Sequence, residues 1–240
     1  MKAFILKRFA FPCVVALVAM APTAGHATLG DCMQRADPAL AVTACQALIK
    51  TAGKDRKMIG TGYAFLGPAQ RLTGDLRGAL RSIGQALLYD PRNARLWHER
   101  GLTRAALGQT LRASADETYA IRYEPRMVEA WIARGDLFRK LGLLTKAVSD
   151  ANEALKLDPK NHLAFANRAY ARLRLGQFDA AQTDAEEALK IEPKSAKALL
   201  TRGLVLERSD TAKALEDIKA SLAIEANDKI AQDALKRLGN

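Results

Sequence analysis

Histidine and cysteine are scarce in this 240-residue chain, three of each, and their scarcity excludes much chemistry. Three cysteines rule out a disulfide-rich miniprotein, and three histidines leave little for a His-based metal site or acid/base centre. Proline and glycine, at 8 and 16, are too few for a collagen-like or low-complexity architecture. Also missing are a phosphate-cradling glycine loop, a nucleophile elbow and a His-Glu-x-x-His zinc helix. His26 falls in the leader described below, while His98 and His162 have no metal-ligating neighbours in sequence. Acidic pairs such as Glu186-Glu187 read as solvated helix faces. Neither catalysis nor a cofactor is expected. What is present, 49% apolar and 26% charged residues, describes a folded soluble chain rather than a disordered tail or a multi-span membrane protein.

Residues 1–27 read as a secretory leader. Lys2, Lys7 and Arg8 precede an uncharged apolar stretch from Phe9 to Ala21, and Gly25 and Ala27 suit a leader peptidase. That stretch, interrupted by Pro12, falls short of the roughly 20 residues that cross a bilayer as a helix. No membrane span is therefore expected after processing. Asp31 ahead of Cys32 disfavours lipid attachment. Cleavage would remove three of the 37 basic side chains and none of the 26 acidic ones, lowering the net charge from +11 to +8. It would also remove Cys13 and leave two cysteines, Cys32 and Cys45. In an exported chain, periplasmic or secreted, such a pair is expected to form a disulfide.

The rest of the sequence repeats itself at one fixed interval, the distance from Pro91 to Pro125. Pro159 and Pro193 continue that spacing, and Gly74, Gly108, Gly142 and Gly176 keep it as well. So do Gly67, Gly101, Gly135, Ala169 and Gly203, with two alanine series starting at Ala79 and Ala86. A bulky apolar residue leads each unit: Tyr63, Trp97, Trp131, Phe165, Leu199. Each unit decodes as a helical hairpin. The small residue lets the second helix approach, Leu-Gly ends the first helix, and Asp/Glu-Pro stops the second. A lone hairpin cannot bury its apolar face, so stability must come from stacking.

This pattern resembles the tetratricopeptide-repeat family. The resemblance covers residues 60–228, as units 60–93, 94–127, 128–161, 162–195 and a slightly shorter 196–228. It implies an all-α solenoid, a right-handed superhelix of hairpins. Segment 28–59 reads as a partial repeat sealed by the Cys32–Cys45 bridge, with 51–57 a longer connector, and 229–240 as a capping helix. Pro68 is expected to kink or shorten the first helix of unit 60–93.

Arg100, Arg134, Arg168 and Arg202 share one register, and Asp116, Asp150, Asp184 and Asp217 follow them on the second helices. The Arg-to-Asp spacing is constant in the first three pairs and one shorter in the last, which places the deletion of unit 196–228 between Arg202 and Asp217. In unit 60–93 both charges are absent together, with Leu66 and Ser82 in their places. Paired presence and absence predicts structural Arg–Asp ion pairs across each hairpin rather than a polyanion track. The excess positive charge is spread along the chain without Lys/Arg runs or stacking aromatics, so nucleic acid is not an expected partner.

The resemblance further implies a concave groove lined by first helices that holds a protein or peptide. One arrangement in the family grips a terminal carboxylate with Lys and Asn, then Asn, then Lys and Arg, from three successive units. Mapped from residue 128, this chain supplies Asn167 and Lys197 but has Ile132, Asp136 and Thr201 at the other three positions. A chaperone-tail receptor is not expected. Arg71, Arg139, Lys140, Arg174 and Arg208 form a basic edge for an acidic peptide, or else offset helix dipoles. The expectation is a non-catalytic scaffold or adaptor in a bacterial envelope. The alternative is an accessory binder of an anionic envelope polymer or lipid surface.

Overall fold

The computed structural model describes residues 28–239 apart from Arg35 and Arg208. The expected leader, 1–27, and the groove candidate Arg208 lie outside the described residues. Within them there are thirteen helices and no strand. A short α1 (Leu29–Met33) precedes α2 (Pro38–Thr51). Five hairpins follow: α3 (Arg56–Leu72) with α4 (Leu76–Tyr89), α5 (Ala94–Ala106) with α6 (Thr110–Tyr123), and α7 (Val128–Lys140) with α8 (Leu144–Leu157). The last two are α9 (His162–Arg174) with α10 (Phe178–Ile191) and α11 (Ala196–Leu206) with α12 (Thr211–Ile224), closed by α13 (Lys229–Leu238).

The recurring residues set the helix ends. Gly74, Gly108, Gly142 and Gly176 hold φ between 73° and 87°, the left-handed turn that an L side chain strains to adopt. Asp90, Glu124, Asp158 and Glu192 stand at the C-caps of the second helices in non-helical backbone, as the following proline requires. Asn93 and Asn161 cap α5 and α9 through their side chains. Close approach within a hairpin depends on the small-residue register: a Cβ on Gly67 would collide with Ile83 Cγ1, and one on Gly203 with Ile218 Cγ1. Trp97 and Trp131 each donate their indole N–H to the carbonyl of the proline in the turn that closes the preceding unit, Pro91 and Pro125, at 2.9 Å.

Two expectations about the first unit need correction. The connector is shorter than 51–57, because Asp55 caps Met58 N and starts α3 at Arg56, one turn ahead of its counterparts in later units. Pro68 does not shorten α3, which runs on to Leu72 as the longest helix among the described residues. Proline removes one backbone bond, and the contact of α3 with α4 through Gly67, Ala79 and Ile83 holds the helix beyond it.

Contacts sort the helices into two rows. First helices touch the next first helix along the stack, in the order α1, α3, α5, α7, α9, α11. The second helices make their main contacts with sequence neighbours only. First helices therefore lie closer together and form the inner face of a curved solenoid. The ends differ. At one end a disulfide joins Cys32 of α1 to Cys45 of α2, both buried with Leu48 and Leu66. At the other, α13 lays Ala231 and Ala234 on Leu200 and Ile218 and turns charged residues outward.

Candidate functional site: the inner face of the stack

The arginine register lies between the helix rows. Arg134 grips Asp150 through two bonds of 2.8 Å, and Arg168 grips Asp184 at 2.7 and 2.9 Å. Arg202 holds Asp217 through two bonds of 2.7 Å, and Arg100 holds Asp116 at 2.8 Å. All four aspartates are buried. Arg104 and Arg172, one turn further along α5 and α9, bond the same carboxylates at 2.7 Å. The guanidiniums also reach the preceding unit, Arg134 to Thr118 Oγ1 and Arg168 to Asn152 Oδ1. Arg100, Arg134 and Arg168 lie over Trp97, Trp131 and Phe165. With donors engaged in all four and the flat face covered in these three, the arginines act as braces within the stack. The first unit replaces the brace with neutral groups: Ser82 donates to Gln70 Oε1 at 2.6 Å.

Four of the basic-edge and clamp candidates meet at the α7–α11 end of the inner face. Lys197 Nζ, from α11, donates to Asn167 Oδ1 at 2.7 Å and to Asp136 Oδ1 at 3.0 Å. Asp136 also takes Arg139 at 2.9 Å and Lys140 at 3.0 Å. Burial works to raise the Asp136 carboxyl, but Lys197, Arg139 and Lys140 outweigh it and hold it well below the ordinary carboxylate range. Burial lowers Lys197, and Asp136 opposes it. Asp136 thus sits as an internal carboxylate among the cations. Arg139 is stacked over the Tyr170 ring, and Arg174 reaches the Tyr170 hydroxyl at 3.5 Å.

Arg71 belongs to the opposite end, where it pairs with Glu99 of α5 at 3.0 Å. Here a cavity of about 740 Å³ crosses α3, from Met33 and Pro38 on one side to Leu96 and Arg95 on the other. Its floor is Ala64, Phe65, Ala69 and Leu72. The opening exists because α1 has 5 residues where the other first helices have 11 to 17. Among the described residues, most of one inner rod is missing.

One further pair escapes a motif search. Glu117 occupies the register of Ile83, Ala151, Ala185 and Ile218, and His98 that of Ala64, Ile132, Ala166 and Leu200. Both core positions of unit 94–127 are polar at once, and His98 Nδ1 lies 2.8 Å from Glu117 Oε2. Glu117 is fully buried, and its Oε1 sits against Gly101 with no hydrogen-bond partner among the described residues. Burial pushes its carboxyl up to about 7 against the pull of His98. His98 is also raised: burial opposes the shift, and Glu117, Glu99 and Glu129 outweigh burial. The double departure from the apolar registers is the signal by which sequence could have found the pair.

Two family models described as tetratricopeptide repeat match the chain, over residues 98–162 and 151–183. Solved structures share the fold. YrrB, described as a TPR protein with an unusual peptide-binding site, aligns with 19% identity over 78% of this chain and 97% of its own, TM-score 0.62. A tetratricopeptide repeat protein from Parabacteroides merdae aligns with 20% identity over 85% of this chain and 93% of its own, TM-score 0.60. MamA aligns with 23% identity over 70% of this chain and 92% of its own, TM-score 0.60. No curated protein matches by sequence.

Proposed function

Because this chain is a tetratricopeptide-repeat protein, we propose that it is a non-catalytic scaffold or adaptor, exported to the periplasm of a Gram-negative bacterium, that holds a partner protein on its inner face. The observation that carries the reading is the inner row itself. First helices contact one another without interruption from α1 to α11, and the face they build is open over α3. Proteins built from such stacks act chiefly by binding along that surface, and YrrB is described as having a peptide-binding site. The leader pattern of residues 1–27 and the Cys32–Cys45 disulfide support export, since such bonds persist in oxidising compartments.

A photo-crosslinking amino acid placed at Phe65 on α3, and in a second variant at Phe178 on α10, tests the reading in cells exporting the full chain. Discrete protein adducts are expected from the inner position and none from the outer. Adducts in equal yield from both, or none from Phe65, would reject it.

A further inference from the structure

Within the scaffold reading, on which this inference rests, the two ends of the inner face are not equivalent. We propose that the cavity crossing α3 is the binding site proper, and that it takes an extended stretch of a partner protein in which apolar side chains alternate with aspartate or glutamate.

The floor is apolar and the room is real. Ala64, Phe65, Ala69 and Leu72 line a space of about 740 Å³, within the range of sites that enclose several side chains. Leu72 is left 58% exposed at its edge, one of the most exposed large apolar side chains of the inner row. The site spans α1, α3 and α5. Neighbouring helix axes lie about 8–10 Å apart, so the path is about 20 Å, or roughly six residues of extended chain.

The rim selects charge. Arg56, Lys57 and Arg95 border the cavity and are exposed. Among the described residues none of the three forms an ion pair, whereas Arg71 is taken by Glu99. The opposing charge left at the rim is Asp90, whose carboxylate accepts from Asn93. Three cations without an ion pair thus face one carboxylate. At the other end the reverse holds, since Arg139, Lys140 and Lys197 already converge on Asp136. Over α3 an incoming carboxylate meets three cations that have no ion pair, whereas among the described basic-edge residues of the other end Arg174 alone has none. Stacked bases are a poor fit, because the Tyr89 face is covered by the Arg56 guanidinium at 5.4 Å.

The test is fluorescence anisotropy with the full exported chain and a labelled eight-residue peptide alternating leucine or phenylalanine with aspartate or glutamate. Two counterparts carry lysine in place of every acidic residue, or serine in place of every apolar one. Only the acidic-apolar peptide is expected to bind. Arg95→Glu, an exposed change that leaves the fold alone, should weaken it about tenfold, since an attraction becomes a repulsion. Thr61→Trp, which fills the cavity, should weaken it at least as much, and Lys219→Glu on the outer helix α12 should change nothing. Equal binding of either counterpart, or indifference to both Arg95→Glu and Thr61→Trp, overturns the proposal. Loss of binding in Lys197→Ala alone would also overturn it by moving the site to the α7–α11 end, and would leave the scaffold reading intact. Tighter binding to anionic phospholipid vesicles than to the peptide, with steep loss in salt, would overturn it in favour of a lipid or polymer surface. Failure of the peptide together with absence of adducts at Phe65 would remove the scaffold reading as well.

Discussion

The α3 end and the α7–α11 end of the inner face are built from the same repeat, yet they use their charges in opposite ways. Around α9 most of the cations have internal partners: Arg168 and Arg172 on Asp184, Lys197 on Asn167 and Asp136, Arg139 on Asp136, with Arg174 reaching only the Tyr170 hydroxyl. Around α3 the brace is neutral, Ser82 to Gln70, and Arg56, Lys57 and Arg95 stand at a cavity rim without an ion pair among the described residues. Paired charges of a repeat are part of its frame. Unpaired charges beside an apolar hollow are available to something else. The difference shows why counting basic residues along a groove misleads, since many of the arginines here serve the stack.

The comparison breaks first at the braces. Asp150→Asn leaves Arg134 half-buried without its carboxylate and should cost about 3 kcal/mol, the lower range for breaking a buried pair. The counterpart Ser82→Ala in the neutral unit should cost about 1 kcal/mol, one buried hydrogen bond. Urea titration of the two variants measures both, and equal costs would erase the distinction between the ends.

Removing the wall of the cavity comes next. Cys32→Ser with Cys45→Ser opens a bridge between positions separated by 13 in sequence, worth about 3 kcal/mol by chain entropy. The loss should be local to α1 and α2, seen as faster amide exchange there, and peptide affinity should fall with it.

The His98–Glu117 pair sharpens the same contrast inside the core. Both groups are raised above their ordinary values, so the folded unit holds protons that the unfolded chain releases. The Glu117 contribution is present in full below about pH 4.5 and is lost as pH climbs toward about 7, and the His98 contribution is present below about pH 6.5 and is lost as pH rises further. The slope is at most about 1.4 kcal/mol per pH unit for each proton. The charged groups around the pair, Asp116, Glu99 and Glu129, are carboxylates, with Arg100 and Arg104 engaged on Asp116. Glu117→Ile with His98→Ala restores residues found at these registers in other units. It should flatten the slope and add about 1–3 kcal/mol at neutral pH. Thermal melts at several pH values test this, and an unchanged slope would mean that the pair does not titrate in this window.

The smallest effect is expected from Asp136→Asn. It frees Arg139, Lys140 and Lys197 from their internal carboxylate, and the α7–α11 end should gain a few-fold affinity for the acidic-apolar peptide. No gain would mean that the two ends differ by shape and not by charge.

Much of the fold was legible because a strict sequence period is a statement about packing. Glycines at one register become left-handed turns, and glycines at another become the points where Ile83 or Ile218 presses on a neighbouring helix. The arginine and aspartate registers could be read together because both vanish at Leu66 and Ser82. Other features have no linear signature. Arg104 and Arg172 share the carboxylates of Asp116 and Asp184 through a helical turn that spacing alone does not reveal. Asp136 meets Lys197 across two repeats, a contact made by the curvature of the inner row. Pro68 leaves α3 intact for a reason no linear reading contains, the packing of α4 beneath it. The cavity is legible only once α1 is seen to stop at Met33.

Hydrogen exchange of the full chain, with and without saturating acidic-apolar peptide, tests the central claim most directly. Protection should rise in α1, α3 and α5 and stay unchanged in α9, α11 and the outer helices. Protection that rises in α9 and α11, or along the outer row, would contradict it.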